Sequence, residues 1–218
     1  TGTEENARTP IYRDPSYGSM TYARTEFTTN KDVADAKLYC TALGGLEMYI
    51  NGDAVAEDWL NPGLTQYREY LNYNAYDVTD MINSNGKNAI GAKVGVGFYS
   101  GYMANSNYNV WADNLGVMAK LVINYTDGTS ETIVTNPETW QICSNGPVLF
   151  TDNYGGWAYD ANNEKYVDGW TEADFEDTYG VWYTPEVVTT KHPTEGEYTW
   201  ENVQIIARKD QPVRVANT

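Results

Sequence analysis

Short runs rich in Val, Ile, Tyr and Thr recur along the chain, separated by turn dipeptides, and helical periodicity is almost absent. That pattern predicts an all-β chain. "KLYCTALGGLEMYINGDAVAEDWL" carries Asn51-Gly52 and "KLVINYTDGTSETIVT" carries Asp127-Gly128. Each predicts a two-residue hairpin, because a type I′ turn needs positive φ at both central positions. Asn85-Gly86 gives a third such signal, ahead of an Ala/Ile/Val strand. "YDVTDMI" (76–82) predicts one helical turn capped by Asp77 or Thr79, and "TEADFED" (171–177) a second. Turn signals roughly every ten residues predict a β-sandwich or jelly roll.

One stretch fits neither pattern. "GVGFYSGYMANSNYNVWADN" (95–114) holds three glycines, four asparagines and five large aromatics, with no basic residue. Ordering so long a loop costs roughly 1–2 kcal/mol of backbone entropy per residue, and such loops tend to be functional or disordered. Its aromatic content argues against disorder. Two readings stay open: the rings cover the edge of the core, or they form a wall on which the apolar face of a sugar lies.

The 218 residues suffice for one large all-β domain. We read 1–19 as a leader, 20–184 as the sandwich, and 185–218 as a Pro-containing, charged connector with one or two strands leading to a following domain. The start, "TGTEENARTP", has neither an initiator Met nor a signal peptide and reads as a piece of something longer.

Composition narrows the function. The aromatics are skewed to 19 Tyr and 7 Trp against 4 Phe, a bias that suits wet binding surfaces. A net charge of −16 excludes a nucleic-acid partner, which needs clustered Lys and Arg. It tolerates neutral sugars and favours cations such as calcium. No run approaches the roughly 20 apolar residues of a membrane span. Cys40, inside an apolar run, reads as a buried thiol; the sequence leaves open whether it pairs with Cys143.

No catalytic constellation stands out. His192, beside Pro193, has no partner pattern, and no nucleophile elbow, zinc spacing or phosphate loop is present. Carboxylates that could act as a glycosidase pair are abundant without being specific. "DANNEKYVDG" (160–169) imitates a calcium loop but has Lys165 where the glycine is required, and reads as a polar surface loop. Glu57-Asp58 is the better cation candidate, as adjacent acids at a strand end, although a solvated pair has the same appearance.

From about Phe27 to Trp182 the chain resembles the N-terminal β-sandwich domain of bacterial α-L-rhamnosidases. The resemblance rests on "AKLYCTALGGLEMYINGDAV", "LNPGLTQYREYLNYNAYDVTDMI", "GKNAIGAKVGVGFYSG", "YTDGTSETIVTNPETW", "TDNYGGWAYDANNE" and "QPVRV", in that order. It implies a galactose-binding-domain-like jelly roll without catalytic residues, the catalytic domain lying downstream in the same polypeptide. It further implies a module that binds L-rhamnose or a related sugar of plant polysaccharide with the help of calcium. An extracellular or cell-surface bacterial setting follows from such a ligand.

By position in the motif, Glu57 and Asp58 would hold the metal. The loop bearing Asn105, Asn107 and Trp111 would complete the site, with Tyr99, Trp111 and Trp157 as stacking faces. The alternative is a structural domain that packs on the catalytic barrel without ligand. Two departures bear on the choice. Gly97-Phe98-Tyr99 stands where the family has Gly-Trp-Tyr. Tyr154 to Ala161 lacks an Asp and a Glu of the family's pattern and gains Trp157, which favours an exposed ligand platform.

Overall fold

The computed structural model describes residues 18–103, 108–111, 114–187, 191–192, 196–197 and 203–215. Most of the segment read as a leader lies outside these residues.

Alternation builds the core. In β2 (Val33–Leu43), Ala36, Leu38, Cys40 and Ala42 point inward; in β3 (Gly45–Ile50), Leu46, Met48 and Ile50 do so. A strand's side chains alternate between faces, so these rows form two apolar surfaces, and burying them against each other gives the sandwich. One five-stranded sheet has the order β4-β3-β6-β1-β9, with β1 Thr21–Thr28, β4 Asp53–Ala54, β6 Lys87–Gly95 and β9 Gln141–Cys143. The other has the order β14-β5-β2-β7-β8, with β5 Tyr70–Asp77, β7 Gly116–Tyr125, β8 Ser130–Val134 and β14 Gln204–Ala207. Leu121 and Ile123 of β7 meet Ile90, Ala92 and Val94 of β6 in the core between the sheets. The expected all-β sandwich is present.

The turns follow the chemistry in part. Asn51-Gly52 is the expected two-residue turn between β3 and β4, with φ of 49° and 92°. The Asn51 amide also donates to Met81 O and Asn88 Oδ1, both at 2.8 Å, which fixes the hairpin to its surroundings. Asp127-Gly128 instead sits in a longer loop, residues 126–129, with positive φ at Gly128 alone of the pair. Asp127 Oδ1 accepts from the Thr129 amide and hydroxyl, an Asx turn that replaces the type I′ geometry. Asn85-Gly86 is not a hairpin either, since β5 and β6 belong to different sheets and a 3-10 turn, Thr79–Met81, intervenes. The residue at the cap of that turn is Val78, without a side-chain cap bond, rather than Asp77 or Thr79; Asp77 Oδ1 accepts from the Thr79 amide just before it.

Two further expectations need correction. Residues 171–177 form turns without a helix; the 3-10 helix lies earlier, at Ala161–Tyr166, capped by Asp160. The stretch read as neither strand nor helix holds one α-helical turn, Gly97–Ser100, directly after β6. Gly97 has φ +53°, and a Cβ there would lie 2.5 Å from the Gly45 amide nitrogen. Only glycine permits that approach where the chain crosses between the sheets.

Residues 160–183 cover the outer face of the first sheet. Trp170 packs edge-on against Tyr22 and Tyr49, over Gly91, and stacks on Trp182. The buried Arg24 donates to the carbonyls of Trp170 (2.8 Å) and Glu172 (3.0 Å) and pairs with Glu26. A buried charge is tolerated only when satisfied in this way.

The segment read as a connector supplies β14, which joins β5 in parallel with Gln204 opposite Tyr70. Cys40 and Cys143 are both free and buried, and burial pushes the Cys40 thiol up to about 12.

Candidate functional site

Three loop regions carry the residues singled out by sequence, and two side chains tie them together. Tyr67, from the loop leading into β5, is buried. Its ring meets Tyr99 edge-on at 5.1 Å and Trp111 at 5.5 Å, and its hydroxyl donates to Gly63 O at 3.1 Å. Around them Leu43, Leu71 and Val203 complete a second small core. The segment after Asp58 and the loop after β6 are thus neighbours.

The second tie is Asp152, at the end of β10 (Val148–Asp152), which pairs with β11 (Gly156–Tyr159). Its nearly buried carboxylate accepts from the Tyr102 amide at 2.6 Å and the Tyr154 amide at 2.8 Å, and from the Gly155 amide. The Tyr102 amide ties this hairpin to the Gly101–Tyr102 backbone, while the Tyr154 and Gly155 amides close the hairpin's own turn. Neither tie was singled out by sequence. Asp152 had a local signal, an Asp two and three residues before donors in a Gly-rich turn, whereas nothing local marks Tyr67.

The candidate residues have unlike fates. Tyr99 is 0 % exposed, so both faces of its ring are covered by protein and it presents no stacking surface. Trp111 is half-buried against Tyr67, with the Arg68 guanidinium 5.8 Å from its ring centroid. Its Nε1 is buried without an acceptor among the described residues. Asn105 and Asn107 lie outside the described residues. Trp157 is 67 % exposed on β11 and stands edge-on to Tyr159, 5.5 Å away. Tyr154, also exposed, sits in the same hairpin. Of the three expected stacking residues, Trp157 offers the most exposed ring, Trp111 is half-buried and Tyr99 is covered.

Glu57 is exposed, while the Asp58 side chain is almost buried and takes the Arg214 guanidinium at 2.8 Å. Among the described residues no three Asp, Glu, His or Cys side chains converge. Calcium takes six to eight oxygens, and an adjacent pair with one carboxylate facing an arginine falls short of that. The described side chains alone do not make a calcium cage.

A cavity of about 350 Å³ opens between the sheets, lined largely by apolar side chains including Leu43, Val94, Leu115, Trp140 and Ile142. It offers few hydrogen-bonding groups for a sugar. His192 lies in the two-stranded pair β12 (Lys191–His192) and β13 (Gly196–Glu197). No helix among the described residues is long and apolar enough to cross a membrane.

The family resemblance read in the sequence agrees with the comparison to known proteins. The model for the α-L-rhamnosidase N-terminal domain matches residues 31–217. The chain belongs to that family. It is 36 % identical over 203 residues to an α-L-rhamnosidase of Streptomyces avermitilis, covering 93 % of this chain and 18 % of that protein. Against an α-L-rhamnosidase of Alteromonas sp. strain LOR it is 37 % identical over 158 residues, 72 % of this chain and 17 % of the relative. The crystal structure of the Streptomyces avermitilis enzyme complexed with L-rhamnose superposes with a TM-score of 0.79 at 34 % identity. That match covers 92 % of this chain and 18 % of the other. This α-L-rhamnosidase N-terminal domain therefore spans about a fifth of the length of the curated relatives it matches.

Proposed function

We propose that the domain is a noncatalytic carbohydrate-binding module of a rhamnosidase-like protein, taking L-rhamnose or a related sugar on the β10–β11 hairpin. The observation that carries the proposal is the exposed Trp157 ring, held edge-on by Tyr159 on a hairpin that Asp152 fixes to the Gly101–Tyr102 backbone. A pyranose presents an apolar C–H face that lies on such a ring, and a preordered platform loses little entropy on binding. The carbohydrate class is supported by relatives that are α-L-rhamnosidases, one of them solved with L-rhamnose. A polysaccharide ligand accords with an extracellular or cell-surface setting.

Calcium, implied by the family resemblance, belongs to the test. Titration of the domain with L-rhamnose, with and without calcium, is to be followed by NMR. The expected result is shifts at the Trp157 indole with a dissociation constant between high micromolar and millimolar, roughly 4–6 kcal/mol. No shift under either condition overturns the reading. A calcium requirement would place part of the site near Glu57, on the side of Tyr67.

A further inference from the structure

The outer face of the first sheet has an opening beside the β10–β11 hairpin. Side chains alternate along a strand. Ile90, Ala92 and Val94 of β6 face the core, so Gly91, Lys93 and Gly95 face outward. Other segments roof the two glycines. A Cβ at Gly91 would lie 2.7 Å from the Trp170 ring, and one at Gly95 would lie 2.9 Å from Thr151 Cγ2 on β10. Lys93, between them, keeps 28 % of its side chain in solvent.

Lys93 heads a short chain of hydrogen bonds. Its Nζ donates to Tyr49 Oη at 2.8 Å, and that hydroxyl donates to Glu47 Oε2 at 2.8 Å. Glu47, half-exposed, is the cross-strand neighbour of Lys93. The ammonium stands 3.8 Å from Glu47 Oε2, too far for a hydrogen bond. The chain therefore has two open ends. An ammonium carries three donors, and Glu47 Oε1 is unbonded among the described residues.

The hairpin sets Trp157 on the side of this opening. Thr151, the residue over Gly95, pairs directly with Trp157, and paired residues project from one face of a two-stranded ribbon. Val148, opposite Tyr159 in the same hairpin, reaches the hydroxyl of Tyr22, which is the β1 neighbour of Lys93.

Resting on the reading of Trp157 as a sugar platform, we infer that Lys93 and Glu47 take the hydroxyls of the pyranose lying on that ring. A neutral sugar with two adjacent hydroxyls fits the open ends. One oxygen accepts from the ammonium while its neighbour donates to the carboxylate. Hydrogen bonds to charged groups are stronger than neutral ones, and Tyr49 already holds both charges in place. The pair selects against anionic sugars, because Glu47 and a net charge of −16 repel a carboxylate.

L-rhamnose titration followed by NMR in the parent, Lys93→Met and Glu47→Gln tests this, with the Trp157 indole and the Lys93 ε-methylene as reporters. In the parent both reporters should shift with one dissociation constant. Each variant should weaken the Trp157 response at least tenfold, and Lys93→Arg, which keeps the charge and donors, should recover part of it. Each variant should melt as the parent does without sugar; where one melts early, the parent's Lys93 response decides. A Trp157 response without a Lys93 response overturns the inference and leaves the platform reading standing, as do variants that bind like the parent. No response at either group overturns both. A Lys93 response that survives Trp157→Ala overturns the link between the pair and the ring.

Discussion

Arg214 donates to Asp58, 156 positions earlier in the chain, joining the last described segment to the turn region that follows β4. Arg214 is well exposed while the Asp58 side chain is almost fully covered. The arginine is therefore the member that can be lost without a cavity, leaving a covered carboxylate unpaired.

Arg214→Gln should lower the melting temperature and speed exchange of the Trp59 amide. The fall should shrink at high salt, where exposed pairs are screened in the parent as well. If calcium binds at Glu57–Asp58 at all, the same variant should bind it more tightly, because Asp58 is freed. A calcium titration followed by melting temperature measures both effects.

Tyr67→Ala should cost about 3–5 kcal/mol, the range for removing a buried aromatic. Tyr67→Phe, which removes only the hydroxyl donating to Gly63, should cost about 1 kcal/mol. Urea denaturation gives the two values. Limited proteolysis should show the alanine variant cut first in the loop after β6, whose Tyr99 and Trp111 rings lean on Tyr67.

Trp157→Ala should leave stability within about 0.5 kcal/mol, as exposed substitutions do, while removing the L-rhamnose response. Tyr99→Ala should do the reverse, melting the domain at lower temperature because its ring is packed rather than presented. Parallel melting and sugar titration of the two variants separates a platform from a core.

Alkaline stability should fall between about pH 10 and pH 12. Burial pushes the Tyr22 and Tyr76 hydroxyls up to about 12, while an unfolded tyrosine titrates near 10. Below pH 10 both states keep these phenols protonated. Above it only the unfolded chain ionises, so proton release drives unfolding until the folded groups titrate as well. Phenolate absorbance should lag behind that of free tyrosine and then jump with the loss of near-ultraviolet circular dichroism.

The architecture was legible where the information was local. Asn51-Gly52 made its turn because two positive-φ residues sit between alternating strands, and the inward rows of β2 and β3 follow from spacing alone. Asp127-Gly128 misled because the Asp127 carboxylate found the Thr129 amide and hydroxyl and widened the loop. Aromatic composition proved ambiguous for a physical reason. The same ring types stand exposed at Trp157, form a covering layer at Trp170 and Trp182, and fill the core at Tyr99. What separates them is the partner met in three dimensions, such as Tyr67, which lies 32 positions before Tyr99. The Arg214–Asp58 pair and the β14–β5 pairing are equally remote along the chain and left no trace in any short stretch.

That parallel β14 strand also sets an order of events during synthesis. The edge of β5 lies bare until residues 204–207 have left the ribosome, more than 120 residues after β5 itself is made. A nascent chain in that interval exposes unpaired strand amides, a hazard for association with neighbouring chains. Ending an expressed fragment at 184 would make the hazard permanent. The shortest fragment that closes the sheet extends through Ala207.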